Sequence, residues 1–301
     1  MKILILGTGY LGSEIAFSLS KTHNITCIDH GNNSSKLNFK NRKIEFFQDD
    51  LKNENLIKKL SRDVDLICYC INTGGVVDCL ENSDLYKKIN IEDFKQLLEL
   101  IDNKKCHFLL LSTAFVYSDS EINSEDCAPN PETLYGKFRF EQETLLMKSN
   151  LPYTILRMSN IYGHQHFFDA KFNNVIDKFI LNIFSNREIS LYGDGKQLVD
   201  FVHIDDFLNI LDQIVSKKPK NEIYNISNES RISINDLAIN MKNIAKNKYN
   251  LSVLLKKQSD TDKLPNIPYT STSKIQKNFS WKNSDNMKSR LESIFEELKN
   301  S

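Results

Sequence analysis

Gly7-Thr8-Gly9-Tyr10-Leu11-Gly12 follows without a gap on the apolar run Ile3, Leu4, Ile5 and Leu6, and leads directly into Ser13, Glu14, Ile15, Ala16 and Phe17. A short, wholly apolar run suits a parallel strand buried on both faces. The glycines then fit a strand-to-helix turn: Gly7 permits the tight bend, Gly9 lets a pyrophosphate reach the backbone, and Gly12 allows close helix–strand packing. The unpaired N–H groups of the first helical turn favour phosphate. Gly7, Gly9, Tyr10, Leu11 and Gly12 are therefore the expected cofactor turn. A second apolar strand, Ile25 to Ile28, ends at Asp29, close to the spacing at which a carboxylate meets the adenosine ribose. An acid there favours NAD over NADP, with Lys36 the nearest cation that would admit a 2′-phosphate.

The rest of the chain keeps the alternation such a start demands. Lys43 to Phe47 reads as a strand, Asn53 to Leu60 as a helix, and Val64 to Ile71 as another buried strand. Leu85, Ile89, Phe94, Leu97, Leu98 and Ile101 have helical spacing over 84–101, and Phe108 to Leu111 is the next strand. This is the rhythm of an α/β protein with a doubly wound parallel sheet. Catalytic groups in such a sheet belong at the carboxyl ends of strands, where Ser112 and Thr113 stand. A helix opening near Pro131 carries Tyr135 and Arg139 on one face by the i, i+4 rule. A fixed cation near a phenol favours its phenolate, so Tyr135 can exchange a proton with a substrate alcohol or ketone while Thr113 bonds the same oxygen.

Composition narrows the partners. The 301 residues, 40% of them hydrophobic, suffice for one large α/β unit with a smaller lobe. A formal net charge of +0 argues against nucleic acid or an anionic membrane as main partner. The sequence has neither an apolar stretch of membrane-spanning length nor a signal-peptide pattern, so a cytosolic enzyme is expected. Cys27, Cys68, Cys70, Cys79, Cys106 and Cys127 lack paired zinc spacing and read as buried free thiols, with no metal site expected. His164 and His166 read as solvated loop residues and His203 as a core residue.

These motifs together resemble the extended short-chain dehydrogenase/reductase family, particularly its nucleotide-sugar epimerases, dehydratases and reductases. Beside the glycine turn, Asp29 with Asn33 and Ser34 resembles the adenosine-ribose segment, and Gln48-Asp-Asp50-Leu51 the adenine-contacting one. Ser112 to Tyr117 resembles the strand end bearing the catalytic hydroxyl, and Arg157 to Gly163 the segment whose Asn, here Asn160, holds substrate. Tyr192 to Gln197 with Asp200 to Asp206 resembles the segment that carries a phosphate-binding Arg and then returns to the main sheet; Ser273, Lys274 and Trp281 match a late signature.

The resemblance implies a Rossmann domain at 1–160 and 198–227, and a smaller α/β substrate lobe at 161–197 and 228–301. It also implies NAD as cofactor, with Cys70 among its contacts, a nucleotide-sugar substrate, and a homodimer through helices at 84–101 and 133–148. Tyr135 would be the acid/base, Thr113 would orient the reacting oxygen, and Arg139 would hold the ribose and polarise Tyr135.

Four departures shape the expectation. Arg139 stands where the family has Lys, and Val199 where it has a phosphate-binding Arg; the region of a second Arg reads Asp260-Thr-Asp-Lys263. Lys171, Arg187, Lys196 and Lys263 are the candidates left for the diphosphate. Ala114 and Phe115 follow Thr113 where family 4,6-dehydratases carry an acid pair, which points to 4-epimerisation or 4-keto reduction instead. The alternative is a non-catalytic dinucleotide sensor or scaffold with the same fold.

Overall fold

The structure, a computed structural model, describes residues 1–31, 44–72, 74–119, 121–163, 174–258, 264–282 and 286–300. Its first half runs β1 (Lys2–Leu6), α1 (Tyr10–Leu19), β2 (Asn24–Asp29), β3 (Ile44–Gln48), α2 (Glu54–Ser61), β4 (Leu66–Tyr69), α3 (Val76–Glu81), α4 (Ser83–Lys87), α5 (Asp93–Leu100), β5 (His107–Thr113), α6 (Leu134–Met147) and β6 (Tyr153–Met158). The second half continues with β7 (Asn160–Tyr162), α7 (Val175–Asn186), β8 (Glu188–Tyr192), β9 (Leu198–His203), α8 (Ile204–Lys217), β10 (Glu222–Ile226), β11 (Arg231–Ser233), α9 (Ile234–Tyr249), β12 (Leu254–Gln258), α10 (Ser273–Asn278) and α11 (Met287–Asn300).

Among the described residues, seven parallel strands form the main sheet in the order β10-β6-β5-β4-β1-β2-β3. The chain reverses direction across the sheet between β1 and β4, which makes the fold a Rossmann sheet with its crevice at their carboxyl ends. Period-two alternation divides β1 between two cores. Ile3 and Ile5 pack with Ile15, Phe207 and Trp281 on one face, while Leu4 and Leu6 pack with Phe94, Phe108 and Leu110 on the other. A third apolar cluster, with Ile176, Ile180, Leu191, Leu237, Met241 and Phe295, belongs to the smaller lobe.

Helix ends follow local chemistry. The side chains of Asn53, Thr133, Asn174 and Ser233 cap α2, α6, α7 and α9 by accepting N–H bonds from the first turn. Arg187, Lys218 and Asn250 close α7, α8 and α9 in the left-handed region.

Two segments differ from expectation. The helix foreseen over 84–101 is interrupted: Lys88–Glu92 widens into a π-turn between α4 and α5, burying Asn90, whose Nδ2 donates to Tyr86 O at 2.8 Å. The segment Leu198–His203 does not return to the main sheet but lies between β7 and β11 in a three-stranded sheet. Its side chains explain this placement, since Val202 enters one of the main-sheet cores while Val199 and Phe201 enter the lobe's core. It is β10, after α8, that adds to the edge of the main sheet.

Candidate functional site

A cleft of about 700 Å³ opens at the carboxyl ends of β1, β2, β4 and β5, closed on one side by α6 and the β6–β7 junction. Gly7, Gly9, Tyr10, Leu11, Asp29, Asp50, Leu51, Cys70, Thr113, Tyr135, Arg139 and Asn160 all line it, so most residues singled out in the sequence meet in one cavity. Gly12 sits just behind the wall, where a Cβ would lie 1.9 Å from Gly7 O; a side chain would drive α1 off the turn. Asn33, Ser34, Lys36, Lys171, Lys263, His164 and His166 lie outside the described residues.

The N-cap of α1 is Gly9, which has no side chain to satisfy the first N–H groups, and the space where its Cβ would project is open. An uncapped helix start facing a cleft is an anion site. Asp29 ties the turn to β2 by accepting Thr8 N–H at 2.5 Å and Gly31 N–H at 2.7 Å. Oδ1 also meets His30 Nδ1 at 3.3 Å, whereas Oδ2 keeps a lone pair for a ribose hydroxyl, and the carboxylate's charge repels a 2′-phosphate. The turn, the helix start and the acid thus fit NAD.

At the other end, Thr113 ends β5 with its Oγ1 accepting Phe115 N–H at 3.3 Å, which leaves the hydroxyl proton free to donate. Tyr135 is 8% exposed, meets Phe115 edge-on at 5.9 Å between centroids, and donates its phenol to Asn72 Oδ1 at 3.2 Å. Gly136 makes this placement possible, because its α-carbon lies so close to Phe115 O that a Cβ would sit 2.1 Å away.

Arg139 takes a posture the sequence did not foretell. Its Nη1 donates to Ile71 O at 3.2 Å and Gln142 Oε1 at 2.8 Å, and its Nη2 donates to Leu111 O at 2.6 Å. Its Cζ is 5.9 Å from the Tyr135 ring centroid, and Nε has no hydrogen-bond partner among the described residues. The guanidinium therefore clamps the backbone just past β4 and at the end of β5, beneath the cleft floor.

Behind Thr113 lies a buried network that sequence reasoning missed. Glu143, with no exposed surface, accepts from Ser112 Oγ at 2.5 Å and from Arg157 Nη2 at 2.7 Å. Arg157 Nη1 donates to Tyr117 OH at 2.6 Å, and that hydroxyl donates to Asn225 Oδ1 at 3.0 Å. Burial pulls the guanidinium's affinity for its proton down, but Glu143 and Tyr117 more than reverse this, so Arg157 is charged throughout. The only sequence signal was position: Glu143 falls one helical turn past Arg139, and Ser112 precedes Thr113.

The other candidates fall elsewhere. Arg187 is exposed at the end of α7, and Lys196, 85% exposed, pairs with Asp194 at 3.2 Å beside a separate shallow hollow. Neither lines the main cleft, because a left-handed helix end and a tight Gly193–Gly195 turn direct them to solvent. The described wall has two permanent cations, Lys52 and Arg139, and Lys52 pairs with Asp93 at 3.2 Å. All six cysteines are free thiols, and burial raises Cys68 to about 12, which leaves it inert. His203 is 4% exposed and caps α8 by accepting Asp205 N–H at 3.2 Å.

Fold and cleft define a dinucleotide-binding Rossmann protein with a phenol and a hydroxyl beside its cofactor groove. The chain belongs to the NAD dependent epimerase/dehydratase family, whose sequence profile matches residues 3–227. It is an NAD-dependent enzyme of that family. A dTDP-D-glucose 4,6-dehydratase of Dictyostelium discoideum is 27% identical over 273 residues, covering 81% of this chain and 62% of that protein. A UDP-N-acetyl-alpha-D-glucosaminuronate decarboxylase of Bacillus cytotoxicus is 26% identical over 256 residues, covering 77% and 76%. Among solved structures, UDP-glucuronic acid 4-epimerase from Bacillus cereus, in complex with UDP-glucuronic acid and NAD, superposes with a TM-score of 0.85 at 25% identity. It covers 100% of this chain and 99% of its own.

Proposed function

We propose that this chain is a nucleotide-sugar 4-epimerase, with Tyr135 as acid/base, Thr113 as the orienting hydroxyl and Asn160 as a sugar contact. The observation that carries this reading is the meeting of the Tyr135 phenol and the Thr113 hydroxyl in the same cleft as the uncapped glycine turn and Asp29. NAD, bound along that turn, supplies the hydride acceptor and donor. Tyr135 as phenolate takes the proton of the sugar C4 hydroxyl as hydride leaves the carbon, and Thr113 donates to the same oxygen through the keto stage. Tyr135 then gives the proton back to the same oxygen, so that an inversion at C4 would leave the chain's residues as they began and carry no net redox change. Ala114 and Phe115, both buried or half-buried and neither acidic, offer no group to expel water, which argues against dehydration.

The supporting division of labour is a Rossmann domain at 1–160 and 198–227, to which Leu198–His203 contributes Val202 but no strand of the main sheet, and a substrate lobe at 161–197 and 228–301. Exposed Leu85 on α4 and Met147 on α6, at 53% and 38%, favour a homodimer through these helices. Light scattering reads its mass.

The test incubates purified protein with NAD or NADH and a panel of UDP-, GDP-, CDP- and dTDP-linked sugars and 4-keto sugars. A same-mass isomer without net NADH change is expected. Stoichiometric NADH loss would assign a 4-keto reductase. Bound NAD without turnover across the panel would replace the enzyme reading with a dinucleotide sensor.

A further inference from the structure

We propose that Asn72 is the positioning residue for the proton of Tyr135, with its side-chain amide donating to the phenolate oxygen before the sugar's proton is taken and accepting the phenol O–H while Tyr135 holds that proton. This rests on the reading of Tyr135 as acid/base. Nothing in the opening sequence patterns marks Asn72; its role follows from how two strands and one helix meet.

The geometry has two linked parts. Arg139 Nη1 donates to the carbonyl of Ile71, and the next residue, Asn72, receives the Tyr135 phenol on Oδ1 at 3.2 Å. Tyr135 and Arg139 are one turn apart on α6, so the same helix face grips adjacent residues of the segment after β4 by backbone and by side chain. The cation fixes the peptide, and the fixed peptide presents the amide. Arg139 therefore acts on the segment that carries Asn72, whereas Asn72 touches the phenol itself.

An amide suits this position because it offers an acceptor on one side and a donor on the other. With Oδ1 toward Tyr135 it accepts from the neutral phenol. Turned about its last side-chain bond, it donates Nδ2–H to the phenolate. A phenolate that takes up a proton and gives it back within one catalytic cycle meets a hydrogen-bond partner in both states.

The other groups near the phenol leave this role to Asn72. Arg139 Cζ stands 5.9 Å from the ring centroid, and its guanidinium bonds go to Ile71, Leu111 and Gln142. On α3, the Asp78 carboxylate accepts Gly75 N–H at 2.6 Å, and burial raises the Cys79 thiol to about 11, keeping it neutral. On α4, Tyr86 packs against the same apolar cluster as Tyr135. Phe115 presents only a ring edge.

Asn72→Asp, close in shape, replaces the two-faced amide with an anion beside the nascent phenolate. Ultraviolet titration at tyrosinate wavelengths, with the Tyr135→Phe curve subtracted, isolates the ionisation of Tyr135 in NAD-loaded protein without any turnover. In N72D the midpoint is expected to rise by about one pH unit or more, since a like charge within a few ångströms disfavours the second. Asn72→Ala, which removes the donor to the phenolate and the acceptor of the phenol together and adds no charge, is expected to shift it in the same direction by less. On any nucleotide sugar that the wild-type enzyme turns over, the acid limb of kcat/KM should move with the titration while NAD affinity holds within about twofold.

Coincident titrations of wild type, N72D and N72A would overturn the proposal. If wild type turns over substrate and neither variant moves the limb or the titration, Asn72 loses its role and the epimerase reading stands. If the titration shifts but no panel substrate reacts with wild type, the coupling stands and the epimerase reading falls. Should N72D not fold, N72A decides by the same two measurements.

Discussion

Replacing Glu143 by Gln removes a single charge from a pair that has no contact with solvent, and the cost can be worked from its neighbours. Glu143 accepts from Arg157 Nε at 3.1 Å, from Nη2 at 2.7 Å and from Ser112 Oγ at 2.5 Å. Arg157 is 2% exposed and Glu143 fully buried. In Glu143→Gln, one acceptor oxygen becomes an NH2 group facing the guanidinium, so donors meet donors and a cation is left without its counter-charge. Breaking such a buried pair costs about 3–5 kcal/mol. At roughly 2 °C per kcal/mol for a domain of this size, the melting temperature should fall by about 6–10 °C. Urea unfolding and calorimetry give the loss directly. The double variant Glu143→Leu with Arg157→Met, which replaces both charges by apolar groups, should lose less than either single change, because no charge is stranded. A loss under about 1 kcal/mol in E143Q, or a double variant that costs the full sum of its singles, would refute this account of the network.

Gly136→Ala puts a Cβ 2.1 Å from Phe115 O, so α6 must move; a loss of about 1–3 kcal/mol and a fall in kcat from a displaced Tyr135 are expected in melting and turnover assays. Asp29→Asn should weaken NAD binding by about tenfold or more, by losing a charge-assisted hydrogen bond, and should narrow the preference for NAD over NADP; calorimetric titration with both cofactors checks it. His107 gives stability a pH dependence. Its Nε2 meets Thr154 Oγ1 at 2.8 Å, Nδ1 has no partner among the described residues, and burial together with Lys218 and Lys220 lowers its pKa from 6.5 to about 4. The unfolded chain therefore binds this proton more readily. Stability from His107 is full above about pH 6.5 and is lost as pH falls toward 4, amounting to about 3 kcal/mol. In His107→Asn the slope of unfolding free energy against pH should flatten across that window.

Much of the site was legible in the sequence because its motifs are local. The glycine turn is constrained by residues within a dozen positions of one another, and Asp29 is placed by the next strand of the same βαβ unit. Thr113 was found from the end of an apolar run, and Tyr135 from helical spacing and resemblance. The π-turn at Lys88–Glu92 left no such trace, since helical periodicity over 84–101 is the same whether one residue bulges or not. Lys196 and Arg187 stand out by charge alone, and charge does not say which way a turn or a helix end points.

The sequence by itself determined the class of fold, the cofactor groove and the hydroxyl and phenol beside it, because strand burial, glycine turns and helix periods are set by near neighbours along the chain. Only the tertiary structure decided what those groups touch. Tyr135 meets Asn72 across 63 residues, Arg139 meets Ile71 across 68, and Ser112 meets Glu143 across 31. Contacts at such separations are fixed by the order of strands in the sheet and by the angle at which α6 crosses them. A linear pattern encodes those quantities only through the packing of the whole core.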